Sequence, residues 1–194
     1  MNYLLLSTGL LFISCSSADV EAPSSWVAFL VDGQVTIELP RRPLEMPASA
    51  LATFISDNPL AGKTKAFKLD DQTGTYLIVT VPMNPRLELQ LPRTIKPADR
   101  APYYKSTVRI FLNSEGKLLN QALKTVDNVD FLTVKYLAPS PWLRTLEVKY
   151  VKTFMLTRTH TLYQLYFTPK DEADTTYAAH CFRFFQSVAI KKGH

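Results

Sequence analysis

The sequence predicts an α+β domain, a twisted and mostly antiparallel sheet layered with helices. Apolar and polar residues alternate with period two in several runs, as where Leu146, Val148 and Tyr150 interleave with Glu147 and Lys149. The connections between these runs are too short for parallel crossovers, which need a dozen residues or more. Two stretches, from Tyr104 to Leu112 and from Tyr177 to Val188, switch instead to helical spacing. The chain has 194 residues, 46% apolar and 20% charged, which provides for one substantial core and excludes disordered and collagen-like architectures.

The first element is an export segment over residues 1–18. Leu4, Leu5, Leu6, Leu10, Leu11, Phe12 and Ile13 form an apolar run too short to span a bilayer, which takes about 20 residues. It ends on the small residues of Ser14-Cys15-Ser16-Ser17-Ala18, as the cleavage region of a secretory signal does, although no Lys or Arg precedes Arg41. Phe12-Ile13-Ser14-Cys15 resembles the lipobox of bacterial lipoproteins, with Phe12 where Leu is usual. That resemblance implies diacylation of Cys15. The alternatives are ordinary cleavage after Ala18 and an uncleaved helix packed on its own domain. In the two cleavage schemes Cys15 is acylated or removed, which leaves Cys181 unpaired.

After a linker over residues 19–25, a single domain is expected over 26–190 with a basic tail at 191–194. Trp26 to Val31 and Gln34 to Leu39 flank Asp32-Gly33, a hairpin signal in which both turn residues take positive φ. Pro40 and Pro43 stop the second strand, and a short helix is expected through 48–55 before Pro59. A second hairpin runs from Lys65 to Leu69 and from Thr75 to Val81; the latter is apolar at nearly every position and predicts a central strand covered on both faces. Alternating Leu87, Leu89 and Leu91 predict a short edge strand within a proline-punctuated connection.

Tyr104, Val108, Phe111 and Leu112 share one helical face, with Asp99 as the cap and Gly116 as the stop. Strands are then predicted over 118–126, 131–137, 146–156 and 161–167. A last helix is predicted from Asp174 to Ile190 with Tyr177, Cys181, Phe184 and Val188 inward, carboxylates Asp171, Glu172 and Asp174 at its start, and Lys191 and Lys192 at its end.

The Trp26-to-Pro40 opening with its Asp-Gly turn, the central helix, the strands around Leu162-Tyr163-Gln164-Leu165-Tyr166 and the ending Phe184-Phe185-Gln186-Ser187-Val188 resemble the PsbP-like superfamily over about residues 26–190. That group includes an extrinsic photosystem protein and a Ran-binding import factor. The resemblance implies an α/β/α sandwich and a noncatalytic module, and it assigns no metal, cofactor or partner-binding residue here.

Chemistry narrows by elimination. Only His160, His180 and His194 are present, and none makes a pair spaced for a metal. His180 and Cys181 are neighbours that point about 100° apart on a helix, so Cys181 reads as a small buried hydrophobe and His180 as a packed or surface residue. Gly62-Lys63-Thr64 has Asp57 where a phosphate loop needs glycine, and reads as a surface turn. The acidic groups Asp70-Asp71, Asp127 with Asp130, and Asp171-Glu172-Asp174 fall at turns or a helix start, where carboxylates satisfy free amides.

Net charge is +5, and Arg86 to Lys170 carries 14 basic against 6 acidic residues. These cations alternate along strands, which describes a solvated face, and export excludes nucleic acid as the expected partner. The expectation is an exported or lipid-anchored envelope protein, noncatalytic and without a cofactor, that binds an unknown protein, glycan or lipid and meets the membrane through the anchor at Cys15. The alternative is a small exported hydrolase or transferase that uses dispersed carboxylates.

Overall fold

A computed structural model describes residues 25–47, 50, 63–83, 104–112, 116–139 and 145–192. The export segment with Cys15, the expected 48–55 helix apart from Ala50, the edge strand at Leu87 to Leu91, Asp99 and His194 lie outside these residues.

In chain order the elements are β1 Val27–Leu30, β2 Val35–Leu39, β3 Leu44–Glu45, β4 Lys65–Asp70, β5 Gly74–Pro82, α1 Lys105–Leu112, β6 Lys117–Val126, β7 Val129–Pro139, β8 Leu146–Leu156, β9 Thr161–Pro169, α2 Thr176–Gln186 and β10 Ala189–Ile190. They build two antiparallel sheets, one ordered β1-β2-β10 and a larger one ordered β3-β4-β5-β9-β8-β7-β6. The period-two runs are strands, and their short connections make antiparallel neighbours, as chain geometry requires.

Register decides which side chains share a face of the large sheet. Ile78, Leu165, Lys152 and Thr133 form one cross-strand row, and Tyr76, Phe167, Tyr150 and Lys135 form the next on the same face. Over this face lie α2 and the small sheet. Val35, Ile37 and Leu39 of β2 pack with Cys181, Phe184 and Phe185 of α2 onto Tyr76, Ile78, Tyr163, Leu165 and Phe167. The opposite face carries Leu132, Val134, Tyr136 and Val151, covered by Val108 and Phe111 of α1. As expected of a central strand, β5 lies between β4 and β9, with Tyr76 and Ile78 buried on one face and Val79 on the other. The molecule is sheet-dominated, and the helices cover its faces only in part. No helix among the described residues is long and apolar enough to cross a membrane.

Three expectations are corrected. At the first hairpin only Gly33 is left-handed, at φ 83°. Asp32 instead accepts the N–H groups of Gln34 (3.1 Å) and Val35 (3.3 Å), an Asx turn that closes a longer loop than a two-residue reversal. The tight left-handed turn is Asp127-Asn128, with φ 48° and 63°, between β6 and β7. Second, α2 ends at Gln186, not Ile190. The Ser187 hydroxyl donates to Phe184 O (2.9 Å) and accepts from Glu38 N (2.9 Å), and the chain then extends so that Ile190 pairs with Val35. Third, Lys191 and Lys192 therefore follow β10 and do not sit at the helix terminus; the Lys191 N–H donates to Gln34 O (2.8 Å).

Candidate binding cleft

A cleft of about 1030 Å³ opens where the start of β1, the end of β2, the β4–β5 turn and α2 converge. One face of α2 forms a wall, with Thr176, Ala179, His180 and Arg183 at helical spacing, opposite the buried Cys181, Phe184 and Phe185. The sequence thus gives α2 two faces, one apolar and docked, the other polar and turned to the cleft.

Trp26 is the centre of the site. The Arg183 guanidinium lies 4.7 Å from the centroid of its ring, the His180 ring 5.3 Å away, and Tyr76 meets it edge-on at 6.2 Å. Both Nε and Nη2 of Arg183 donate to one Glu38 oxygen, at 3.0 and 2.9 Å, so the guanidinium is held between a carboxylate and an indole.

The β4–β5 turn supplies the facing wall. Asp71 accepts from the Thr73 N–H (2.8 Å), the Gly74 N–H (3.1 Å) and the Thr73 hydroxyl (2.8 Å). The Thr73 hydroxyl lies 3.1 Å from the Tyr76 hydroxyl and 3.3 Å from His180 Nδ1, which is itself 3.1 Å from the Tyr76 hydroxyl. With His180 protonated, donors run in one direction: Nδ1–H to Tyr76, Tyr76 O–H to Thr73, and Thr73 O–H to the Asp71 carboxylate. With neutral His180 carrying its proton on Nε2, Tyr76 turns its proton to Nδ1. Both arrangements satisfy the two hydroxyls and Nδ1, so the network fixes the position of the ring.

Arg41, Asp70 and Asp174 are also engaged. Arg41 donates to the Asp70 carbonyl. Burial opposes ionisation of Asp70, yet the Thr75 hydroxyl (2.5 Å) and the Lys68 ammonium (2.9 Å) draw its carboxyl below the ordinary value. The N–H and hydroxyl of Thr176, both at 2.8 Å, lower Asp174 and open α2. Lys170 lines the rim, with its N–H on Thr73 O (3.1 Å).

Of the residues singled out in the sequence, the structure brings His180, Asp70, Asp71 and Asp174 to this cleft. Cys181 faces the core, and burial pushes its thiol up to about 12, which suits an inert hydrophobe. His160 stands in the β8–β9 turn with φ 49°. Asp130 accepts from Tyr104 (2.9 Å) and Thr125 (2.5 Å), tying α1 to the sheet, and Glu172 accepts the Val148 N–H (2.9 Å). Among the described residues no three His, Cys, Asp or Glu side chains converge to hold a metal. Trp26, Thr73, Tyr76 and Arg183 were not singled out in the sequence. The one local signal was the spacing of His180 and Arg183 on the polar face of α2.

The sequence matches no protein-family model and no curated protein. Among solved structures, cyanobacterial PsbP (CyanoP) from Synechocystis sp. PCC 6803 aligns at a TM-score of 0.56 and 10% identity, over 91% of this chain and 99% of that one. The Ran-binding protein Mog1p of Saccharomyces cerevisiae aligns at 0.46 and 9% identity, over 86% and 95%. With its order of strands and the position of α2 established above, the chain resembles PsbP in fold.

Proposed function

We propose that this chain is a noncatalytic recognition or assembly module of the cell envelope, and that a charged segment of a protein partner occupies the cleft around Trp26. The observation that carries this reading is the state of the cleft's charges. Arg183, Arg41, Asp70, Asp71 and Asp174 are each held by a partner within the chain, and Tyr76 and Thr73 position the His180 ring. A nucleophile or general base needs a group whose proton or lone pair can move toward substrate. Here the carboxylates are committed to a turn, a ladder hydroxyl and a helix start, which weakens the alternative of a hydrolase or transferase with dispersed acids. Side chains fixed before binding lose little freedom on association, so the same arrangement favours recognition. Both signs of charge line the cleft, which suits a dipolar protein surface better than a uniformly anionic ligand. The resemblance to PsbP supports a noncatalytic module. Export and tethering at Cys15, or release after Ala18, would place that module outside the cytoplasm.

Photo-crosslinking tests the reading. With a benzophenone amino acid at exposed Gln72, on the cleft rim, native cells should yield one discrete adduct that is lost when Arg41→Glu and Lys170→Glu are added. The same probe at Asn120, on exposed β6, should not yield it. Identical adducts from both positions would refute the cleft as the recognition site.

A further inference from the structure

A second groove lies at the opposite end of α2 from the helix start, and its chemistry differs from that of the cleft. It has a volume of about 560 Å³ and is walled by three segments distant in sequence: the Asp127-Asn128 turn, the β8–β9 turn and the stretch from Val188 to Lys192. Exposed Val126 and half-buried Val188 and Ile190 give it an apolar wall, with Phe131 and Leu156 packed in the core beneath. The volume lies within the range of small-molecule sites, about 300–1,000 Å³.

Its rim is cationic. Arg158, Lys191 and Lys192 stand there against the single carboxylate of Asp127. Arg158 donates to the Lys191 carbonyl, which holds its guanidinium at the mouth. Among the described residues no carboxylate lies within ion-pair distance of these three cations. More positive charge lies behind the lining: the Lys152 amine is 4.7 Å from the centroid of the Phe131 ring, and Lys124 pairs across the sheet with Phe131. An apolar trough with several cations at its mouth is complementary to a molecule with a long hydrocarbon body and one anionic end.

We propose that this groove binds a long-chain fatty carboxylate, with the acyl chain along Val126, Val188 and Ile190 and the carboxylate at Arg158, Lys191 and Lys192. This goes beyond the protein-recognition role of the cleft and uses none of its residues.

The test is displacement of a fluorescent fatty acid, dansylaminoundecanoate, from the full chain. Hexadecanoate should displace it, and affinity along a series of carboxylates from ten carbons upward should rise by roughly two- to fourfold per methylene until the groove is filled. Lys191→Glu with Lys192→Glu should weaken hexadecanoate by about tenfold or more while leaving hexadecanol little changed. Val126→Glu, at an exposed position on the groove wall, should weaken both. Lys117→Glu, at the far end of β6, should change neither, and thermal unfolding should show that all variants fold. The proposal is overturned if the probe does not bind, if hexadecanol competes as well as hexadecanoate, if the charge reversals leave affinity unchanged, or if only vesicles of anionic phospholipid bind.

Discussion

The Tyr76 hydroxyl lies 3.1 Å from Nδ1 of His180, although 104 residues separate them. Tyr76 belongs to the middle of the large sheet and is fully buried, while His180 faces the cleft from α2. Burial pushes the Tyr76 phenol well above its ordinary value, so it stays protonated and remains available as a donor. Replacing it with Tyr76→Phe keeps the ring and removes the hydroxyl. Since Thr73 and His180 still approach within 3.3 Å, the expected loss is about 1 kcal/mol in urea unfolding, with weaker partner crosslinking from Gln72.

Gly74 opens β5 against β9, and a methyl group there would lie 2.6 Å from Thr168 O and 2.8 Å from the Phe167 ring. Neither neighbour can yield, since the carbonyl belongs to the backbone of the paired strand and Phe167 is fully buried. Gly74→Ala should therefore cost about 1–3 kcal/mol in thermal or chemical unfolding.

Lys152 is carried into the core by register, in the row with Ile78 and Leu165, and its amine donates to Phe185 O at 2.6 Å near the end of α2. Burial, helped by Lys124, lowers its ammonium from 10.5 to about 8. Between these two values the unfolded chain binds more protons than the folded one, so stability rises with pH across that window. Wild type should gain on the order of 2 kcal/mol relative to Lys152→Met from pH 8 to pH 10.5, with a flat difference below pH 8. Paired denaturation curves across this range check it, and a difference that does not change with pH would contradict the burial of a charged amine.

The proposed envelope placement predicts the mature amino terminus. Intact-mass analysis of protein from native membranes should find diacylglyceryl Cys15, or a chain starting at Asp19 if ordinary cleavage operates. Full-length chain in the soluble cell fraction would contradict export.

Much of the sheet was legible locally because alternation and turn residues are local signals. The runs around Tyr76 to Val81 and Leu146 to Leu156 form strands as their patterns predict. The end of α2 was not legible: Ala189 and Ile190 leave the helical path to pair with Thr36 and Val35, and no window around Val188 contains that partner. The burial of Lys152 follows from the alternation of Tyr150, Lys152 and Phe154, but its meaning required the helix that covers it. The cleft was the least legible feature. His180 and Arg183 show their shared face by spacing, whereas Trp26 and Thr73 come from segments that only the folded chain brings beside them.

Calorimetric titration of the partner captured through Gln72 measures the central proposal most directly. Arg41→Glu and Lys170→Glu should each weaken binding by about tenfold or more while leaving thermal stability within a few degrees of wild type. Unchanged affinity in both variants would mean that the cleft around Trp26 is not where this protein recognises its partner.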